Sequence, residues 1–152
     1  MSQTKNLIAK GSTIGDSAVD GLFGGLGAGI IMAIYFVAAG MIGGENPARV
    51  LSRFDPSAAA SPLTGTLMHL AVASVYGMVF GIGYRYIRLD RLLTWLAGLL
   101  YGLALLVLAE VVVLPSTQSS LPAVPVLSFG LAHVIYGLTL GWLIQRMGPN
   151  SK

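Results

Sequence analysis

Hydrophobic residues lie in four long runs along the chain, separated by short polar segments. The run at residues 92–114 is the most apolar, and Glu110 is its only ionisable residue. An α-helix rises about 1.5 Å per residue, so this run is long enough to cross the roughly 30 Å hydrocarbon core of a bilayer. Similar runs at residues 21–43, 63–83 and 124–144 contain no charged residue. The pattern predicts an all-α polytopic membrane protein, a bundle of four transmembrane helices.

The segments that connect or flank the runs are short. Residues 1–20 form a polar N-terminal tail, and residues 145–152 form the C-terminal tail. The longest connection contains an Asn-Pro pair at Asn46, which favours the start of a helix. We therefore expect a short amphipathic helix at residues 47–54 on the membrane interface, with an ordered loop containing one helical turn as the alternative. The whole of residues 21–144 is predicted to form one membrane domain.

The overall composition supports a membrane location and excludes several kinds of chemistry. Hydrophobic residues make up 55% of the chain and charged residues 10%, whereas soluble domains carry about 25% charged residues. The chain has no cysteine, which excludes disulfides, thiolate-bound zinc, iron–sulfur clusters and cysteine nucleophiles. No phosphate-binding glycine loop, Gly-x-Ser-x-Gly or His-Glu-x-x-His motif occurs. We therefore expect that the protein is not an enzyme.

The distribution of basic residues predicts the orientation of the spans. With four spans both termini lie on one side, and of the nine Lys and Arg residues only Arg49 and Arg53 fall on the other. Basic residues are enriched on the cytoplasmic side, so both termini are predicted to be cytoplasmic in a bacterial inner membrane. No cleavage site follows a short apolar region near the N-terminus, so the first run is expected to remain as a span. The basic residues on the side of the termini are Lys5, Lys10, Arg85, Arg88, Arg91, Arg146 and Lys152.

Every run contains glycines that repeat at four-residue intervals and so share one helix face. Small residues allow helices in lipid to approach closely, so we predict that these glycines are helix-packing positions. The second and fourth runs share the pattern Tyr-Gly-x-x-x-Gly, each after a histidine. The chain is therefore predicted to consist of two tandem helical hairpins, related by an axis along the membrane normal. The predicted packing glycines are Gly21, Gly25, Gly29, Gly77, Gly81, Gly98, Gly102, Gly137 and Gly141.

Three ionisable residues lie within the predicted hydrocarbon region: His69, Glu110 and His133. Counted from the neighbouring prolines, they lie roughly 7.5 to 12 Å from the non-cytoplasmic ends of their helices. Their spacing from the packing glycines predicts that they point inward, as intramembrane ionisable groups usually do. We therefore treat the three residues as a candidate intramembrane polar cluster.

Several interpretations of this cluster remain open. His69 and His133 carry the imidazole that ligates iron in b-type haem. Glu110 together with a histidine suits a proton or quinone site. Alternatively, the three groups only satisfy one another, a backbone carbonyl or an interfacial water. No cofactor and no metal is expected unless the histidines bind haem b or the cluster binds quinone.

Nearly the whole chain resembles an uncharacterised family of small bacterial membrane proteins with four spans. The likeness is carried by the glycine-rich GLFGGLGAGIIMA, the segment HLAVASVYGMVFG and the final HVIYGLTLGWLI. The resemblance implies the four-span fold and no activity. The architecture is also similar to that of accessory subunits of respiratory or photosynthetic electron-transport complexes, an analogy of fold alone.

Packing glycines in every span, with little catalytic chemistry, indicate a structural role. We expect a small accessory or scaffold subunit that packs against larger subunits of a membrane complex, with electron transport as the expected setting. The alternative is a small transporter or a haem- or quinone-binding protein that uses His69, Glu110 and His133. The expected partners are the lipid bilayer and other membrane subunits, and no nucleic acid.

Overall fold

The structure is a computed structural model that describes residues 13–87, 90–116 and 124–147. Its regular elements are all helical, with no strand in these ranges, which confirms the predicted all-α fold. Most of both predicted tails, Arg88 and part of the uncharged loop after the third run lie outside the described residues. The elements are α1 (Ile14–Ile42), α2 (Pro47–Ser52), α3 (Pro62–Tyr86), α4 (Arg91–Leu108), a π-helical turn (Ala109–Val113), α5 (Leu114–Ser116) and α6 (Val126–Met147).

Four helical segments are long and apolar enough to cross a membrane. They are α1, α3, α6 and the segment Leu92–Ser116, which combines α4, the π-helical turn and α5. The chain therefore fits a multi-pass membrane protein with four helices, as the hydrophobic pattern predicts.

Polar side chains at the helix starts explain where the helices begin. α1 starts at Ile14, earlier than the predicted first span, because Thr13 and Asp16 form a capping box. The backbone N–H of Thr13 donates to Asp16 Oδ2 at 2.7 Å, and that of Asp16 donates to Thr13 Oγ1 at 3.1 Å. Ser61 and Asp90 cap α3 and α4 by accepting hydrogen bonds from the backbone N–H groups of Thr64 and Leu93 through their side-chain oxygens.

The connection between α1 and α3 contains a short helix, as the Asn-Pro pair predicts. Gly44 has a φ of +80°, which turns the chain after α1 at a position where glycine is favoured. The side chain of Asn46 then accepts a hydrogen bond from the N–H of Ala48 at 2.8 Å. The helix itself, α2, covers Pro47–Ser52 and ends before the predicted residue 54.

Direct backbone contact closes the first hairpin, which is formed by α1 and α3. A Cβ added at Gly25 would overlap the carbonyl oxygen of Ala73. One added at Gly81 would overlap the carbonyl oxygen of Ser17, and one at Gly77 would overlap the backbone of α1. At all nine glycines predicted for packing, an added Cβ would lie within 3.0 Å of an atom on the facing helix. The helices can approach this closely only because the side chains are absent.

The second hairpin, formed by α4 and α6, repeats these contacts position by position. A Cβ added at Gly102 would overlap the carbonyl oxygen of His133. One added at Gly141 would lie 2.9 Å from the carbonyl oxygen of Thr94. The two hairpins are therefore structural repeats with a defined residue correspondence. Corresponding pairs are Ser17 and Thr94, Gly21 and Gly98, Gly25 and Gly102, Ala73 and His133, Gly77 and Gly137, and Gly81 and Gly141.

The two hairpins pack together through α1 and α6. Gly24 of α1 lies against the side chains of Leu140 and Ile144, both of which are almost fully buried. α3 and α4 meet instead through tyrosines. The hydroxyl of Tyr101 donates to the carbonyl oxygen of Tyr76 at 2.8 Å. The seam between α3 and α4 therefore lacks the backbone contact that closes each hairpin.

Aromatic and basic side chains gather at the end of the bundle opposite α2. Trp95 Nε1 donates to Gln145 Oε1 at 3.2 Å, and the guanidinium of Arg146 lies 4.7 Å from the ring centre of Trp142. Such side chains anchor helix ends at a membrane interface. We call this end of the bundle the tryptophan end, and the opposite end the α2 end.

Candidate functional site

A cavity of about 140 Å³ lies between the four long helices, towards the α2 end. Its wall is mostly apolar, and its polar side chains come from two histidines and two tyrosines. Val72 of α3 and Val113 of the π-helical turn are exposed members of the wall, so the cavity reaches the bundle surface between α3 and α4. The lining residues are Met32, Phe36, Phe54, His69, Val72, Ala73, Tyr76, Leu105, Ala109, Val113, Phe129, His133 and Tyr136.

His69 is held in the cavity wall by a backbone carbonyl and an aromatic ring. Its Nε2 lies 3.0 Å from the carbonyl oxygen of Gly29 on α1. Because a carbonyl only accepts, Nε2 carries the proton and donates, and Nδ1 of the neutral ring is an acceptor. The imidazole also stacks on Phe54, with ring centroids 4.4 Å apart. Within residues 13–87, 90–116 and 124–147, no group hydrogen-bonds to Nδ1.

His133 is buried and is held in a similar way on α6. Its Nδ1 lies 2.9 Å from the carbonyl oxygen of Phe129, one turn earlier in the same helix. The ring meets Phe129 edge to face at a centroid distance of 4.7 Å. Nδ1 is therefore the donor, and Nε2 of the neutral ring is an acceptor without a hydrogen-bond partner among the described residues.

The structure brings the two histidines to one cavity but places Glu110 elsewhere. Glu110 is exposed on the bundle surface and is not part of the cavity wall. This differs from the expectation that all three residues point inward. An α-helix has 3.6 residues per turn, so the eight residues from Gly102 to Glu110 rotate the side chain by about 80° away from the packing face. Ala109 and Val113 of the same π-helical turn face the cavity instead.

The three ionisable groups therefore do not satisfy one another by hydrogen bonds. Each histidine donates to a backbone carbonyl. No described residue hydrogen-bonds to the carboxylate of Glu110. Of the alternatives that the sequence leaves open, the structure shows the backbone carbonyl as the partner of both histidines.

The cavity exists because the two hairpins carry side chains of different size at corresponding positions. The correspondence between the hairpins relates the residues on its two sides, and the second hairpin has the smaller side chains where α1 contributes Met32 and Phe36. The same correspondence shows that the two histidines are not equivalent, since His69 corresponds to Phe129 and His133 corresponds to Ala73. Related lining pairs are Met32 and Ala109, Phe36 and Val113, His69 and Phe129, Ala73 and His133, and Tyr76 and Tyr136.

Protein interiors are normally packed without voids of this size. A π-helical turn lies in the wall, and such turns occur frequently at functional sites. Both features make the cavity a candidate ligand site.

A loop at the α2 end covers the cavity. Phe54 follows α2 and packs against both His69 and Phe36. The next residue, Asp55, is buried and accepts hydrogen bonds from the hydroxyl and N–H of Ser57, at 2.7 and 2.9 Å, and from the N–H of Ser61, at 2.8 Å. These bonds, led by that from the Ser57 hydroxyl, lower the pKa of the Asp55 carboxyl below its ordinary value. The carboxylate therefore holds the loop that positions Phe54.

The cavity does not fit a haem. It has about the volume of an engineered cavity that accommodates a single benzene ring, and a porphyrin contains four pyrrole rings. The described residues also contain no group of three or more His, Asp or Glu side chains arranged to hold a metal ion. The residues present fit a small, mostly apolar ligand with a polar substituent.

The sequence pattern identifies the two histidines but not the residues that create the space around them. Ala109 and Val113 are unremarkable members of an apolar run when read alone. Alignment of the two hairpins shows their importance, because Ala109 corresponds to the larger Met32 and Val113 to the larger Phe36. Phe54 lies at the end of the predicted interfacial helix, and only the fold shows that it contacts a histidine.

A family model described as a family of unknown function (DUF6789) matches residues 15–152 of the chain. No curated protein and no solved structure matches it.

Proposed function

Because the chain belongs to the family of unknown function DUF6789, we propose its role from its own geometry: it is an accessory subunit that binds a larger membrane protein. The interface is the outward face of the third span, around Glu110. The sequence predicts an accessory subunit, and this proposal names the surface through which it would bind its partner.

The exposed carboxylate of Glu110 is the observation that carries this proposal. Glu110 lies six residues before Ser116, the last residue of its span, about 9 Å along the helix. An ionisable side chain at such a depth is costly against lipid, and such groups almost always face protein or water. The third span also buries the smallest share of its residues among the four. A protein surface that covers this face removes the cost.

The proposed occupant is a transmembrane helix with a hydrogen-bond donor opposite Glu110. Within membranes, side-chain hydrogen bonds between helices contribute roughly 0.6 to 2 kcal/mol each. Val107 and Val111 flank Glu110 on the exposed surface and provide apolar contact for such a helix. A second copy of this chain that met the same face would place two Glu110 carboxylates at one interface, and neither supplies a donor. We therefore favour a different subunit.

The proposed location is the inner membrane of a bacterium, with both termini in the cytoplasm. The tryptophan end then faces the cytoplasm, where the basic residues are concentrated. At the α2 end, Arg53 is paired with Glu45 at 2.7 Å. Pairing leaves little net charge at the end proposed to lie outside. A respiratory or photosynthetic electron-transport complex is the proposed setting.

Photo-crosslinking in native membranes tests the interface. A photoreactive amino acid is introduced at Val107, beside Glu110, and at Ile34, an exposed position on α1 that serves as the matched control. We expect position 107 to capture one integral membrane protein and position 34 not to capture it. In a Glu110→Leu background the product is expected to fall at least fivefold, whereas Glu110→Gln, which still accepts a hydrogen bond, retains most of it.

Three results would contradict the proposal. The product at position 107 could be unaffected by Glu110→Leu, it could be a dimer of this chain, or it could contain lipid alone. Helix content and the yield of folded protein are compared between variants, so that a loss of crosslinking is not confused with a loss of folding.

A further inference from the structure

We propose that the cavity binds the head group of a membrane-soluble benzoquinol: one aromatic ring that carries hydroxyl groups, with its tail in the lipid. This site is separate from the Glu110 surface, and the inference does not rest on a partner protein.

The volume of the cavity limits the ligand to one ring. About 140 Å³ is close to the volume of a cavity that binds benzene. Phe36, Phe54 and Phe129 contribute aromatic walls around this space. Aromatic rings pack well against one another in offset or edge-to-face geometry. A planar six-membered ring therefore matches both the size and the lining.

The two histidines in the wall favour a ligand that donates hydrogen bonds. His69 and His133 both use one ring nitrogen to donate to a backbone carbonyl, which leaves the second nitrogen of each neutral ring as an acceptor. The hydroxyl of Tyr136 already donates to the carbonyl oxygen of Ala73 at 2.7 Å. A quinol hydroxyl donates to an imidazole nitrogen. The carbonyl oxygen of the oxidised quinone only accepts, so the two neutral histidines offer it no donor. Its one possible donor in the wall is the hydroxyl of Tyr76, which has no hydrogen-bond partner among the described residues.

The position of the opening provides a route from the lipid. The cavity reaches the surface between α3 and α4, where Val72 and Val113 are exposed. This is the seam that lacks glycine-mediated backbone contact, and the Tyr101 hydrogen bond crosses it on the side towards the tryptophan end. A head group can enter from the bilayer while its apolar tail remains outside.

Binding is tested with the full-length protein in lipid nanodiscs under anaerobic conditions. The probes are a short-chain benzoquinol, its oxidised quinone and its dimethyl ether, whose affinities are measured by equilibrium titration. We expect the quinol to bind at least tenfold more tightly than the ether, which cannot donate to either histidine. We also expect it to bind more tightly than the quinone, because the wall offers two acceptors for quinol hydroxyls and only the Tyr76 hydroxyl as a donor for the quinone.

Two variants connect the binding to this cavity. Ala109→Met introduces the larger side chain of the corresponding Met32 position, and is expected to weaken quinol binding at least tenfold. Ala104→Met makes the same change at an exposed position of the same span, outside the cavity wall, and is expected to leave binding unchanged. His69→Phe keeps a ring against Phe54 but removes one of the two acceptors, so the quinol is expected to lose part of its preference over the ether, with His133 retaining the rest.

The proposal is overturned if the three probes bind with equal affinity, which is the result for an acyl chain site or for partition into lipid. It is also overturned if Ala109→Met binds quinol as well as Ala104→Met does. Should His69→Phe fail to fold, the comparison of the three probes on the unmodified chain still decides the outcome.

Discussion

The Asp55 carboxylate shows how one residue supports the candidate site without touching it. Its hydrogen bonds to Ser57 and Ser61 fix the loop after α2. That loop holds Phe54 against His69, with ring centroids 4.4 Å apart. A charged group in a loop at the α2 end therefore determines the position of an aromatic side chain inside the bundle.

This arrangement predicts an acid-sensitive contribution to stability. The hydrogen bonds lower the folded-state pKa of Asp55, so its contribution is fully present above the ordinary Asp pKa of about 3.9. It is lost as the pH falls below that value and through the lower folded pKa. Thermal unfolding in detergent between pH 7 and pH 3 should show this loss in the wild type, and a smaller pH dependence in Asp55→Asn.

Asp90→Asn is the control for this measurement, because Asp90 is an acidic residue that caps α4 at the tryptophan end and does not contact the loop that carries Phe54. The idea fails if Asp55→Asn and the wild type show the same change in melting temperature with pH. It also fails if Asp90→Asn removes as much of the pH dependence as Asp55→Asn.

At the scale of helices, backbone contact within each hairpin is the main structural device. Ala73 and His133 present their carbonyl oxygens to glycines at corresponding positions of α1 and α4. Close approach of this kind maximises van der Waals contact, which drives helix association in lipid. Glycine-mediated backbone contact therefore makes the two hairpins similar. The side chains that fill the space between the hairpins differ from one hairpin to the other.

Alanine substitution at the contact glycines should therefore destabilise both hairpins. Gly77→Ala and Gly137→Ala each place a methyl group inside the facing backbone. Overpacking of this kind costs about 1 to 3 kcal/mol, and we expect the free energy of unfolding in bicelles to fall by that amount. Gly83→Ala is the matched control, since nothing lies within 4 Å of its added Cβ, and the higher helix propensity of alanine is expected to make it neutral or slightly stabilising.

Equal stabilities of Gly77→Ala and Gly83→Ala would show that the α1–α3 backbone contact is absent in the membrane. A loss for Gly77→Ala without a loss for Gly137→Ala would show that the hairpins are not equivalent repeats.

Sequence pattern predicted the helices well because their signals are local. Apolar run length and four-residue glycine spacing are both readable along one segment. The orientation of Glu110 was not readable in this way, because the extrapolation from Gly102 accumulates rotation and passes into a π-helical turn. The partners of His69 are also non-local: Gly29 belongs to another span and Phe54 to a loop.

For the whole molecule, two similar hairpins that carry different side chains at corresponding positions explain why a small bundle contains a cavity. The first hairpin fills its share of the interior with Met32 and Phe36. The second hairpin has Ala109 and Val113 at the corresponding positions, and the cavity lies there. The proposed partner surface and the proposed ligand site then lie on two faces of the same π-helical turn. Glu110 projects outward from this turn, and Ala109 lines the cavity.

The central claim is that these four helices cross a bilayer, so that the α2 end and the tryptophan end lie on opposite sides of it. The chain has no native cysteine, so single cysteines report position directly. Ala58→Cys marks the α2 end and Ile87→Cys the tryptophan end, both at exposed residues. With a membrane-impermeant maleimide applied to spheroplasts, we predict that position 58 is labelled at once and position 87 only after the membrane is permeabilised. Labelling of both positions in intact spheroplasts would contradict the account.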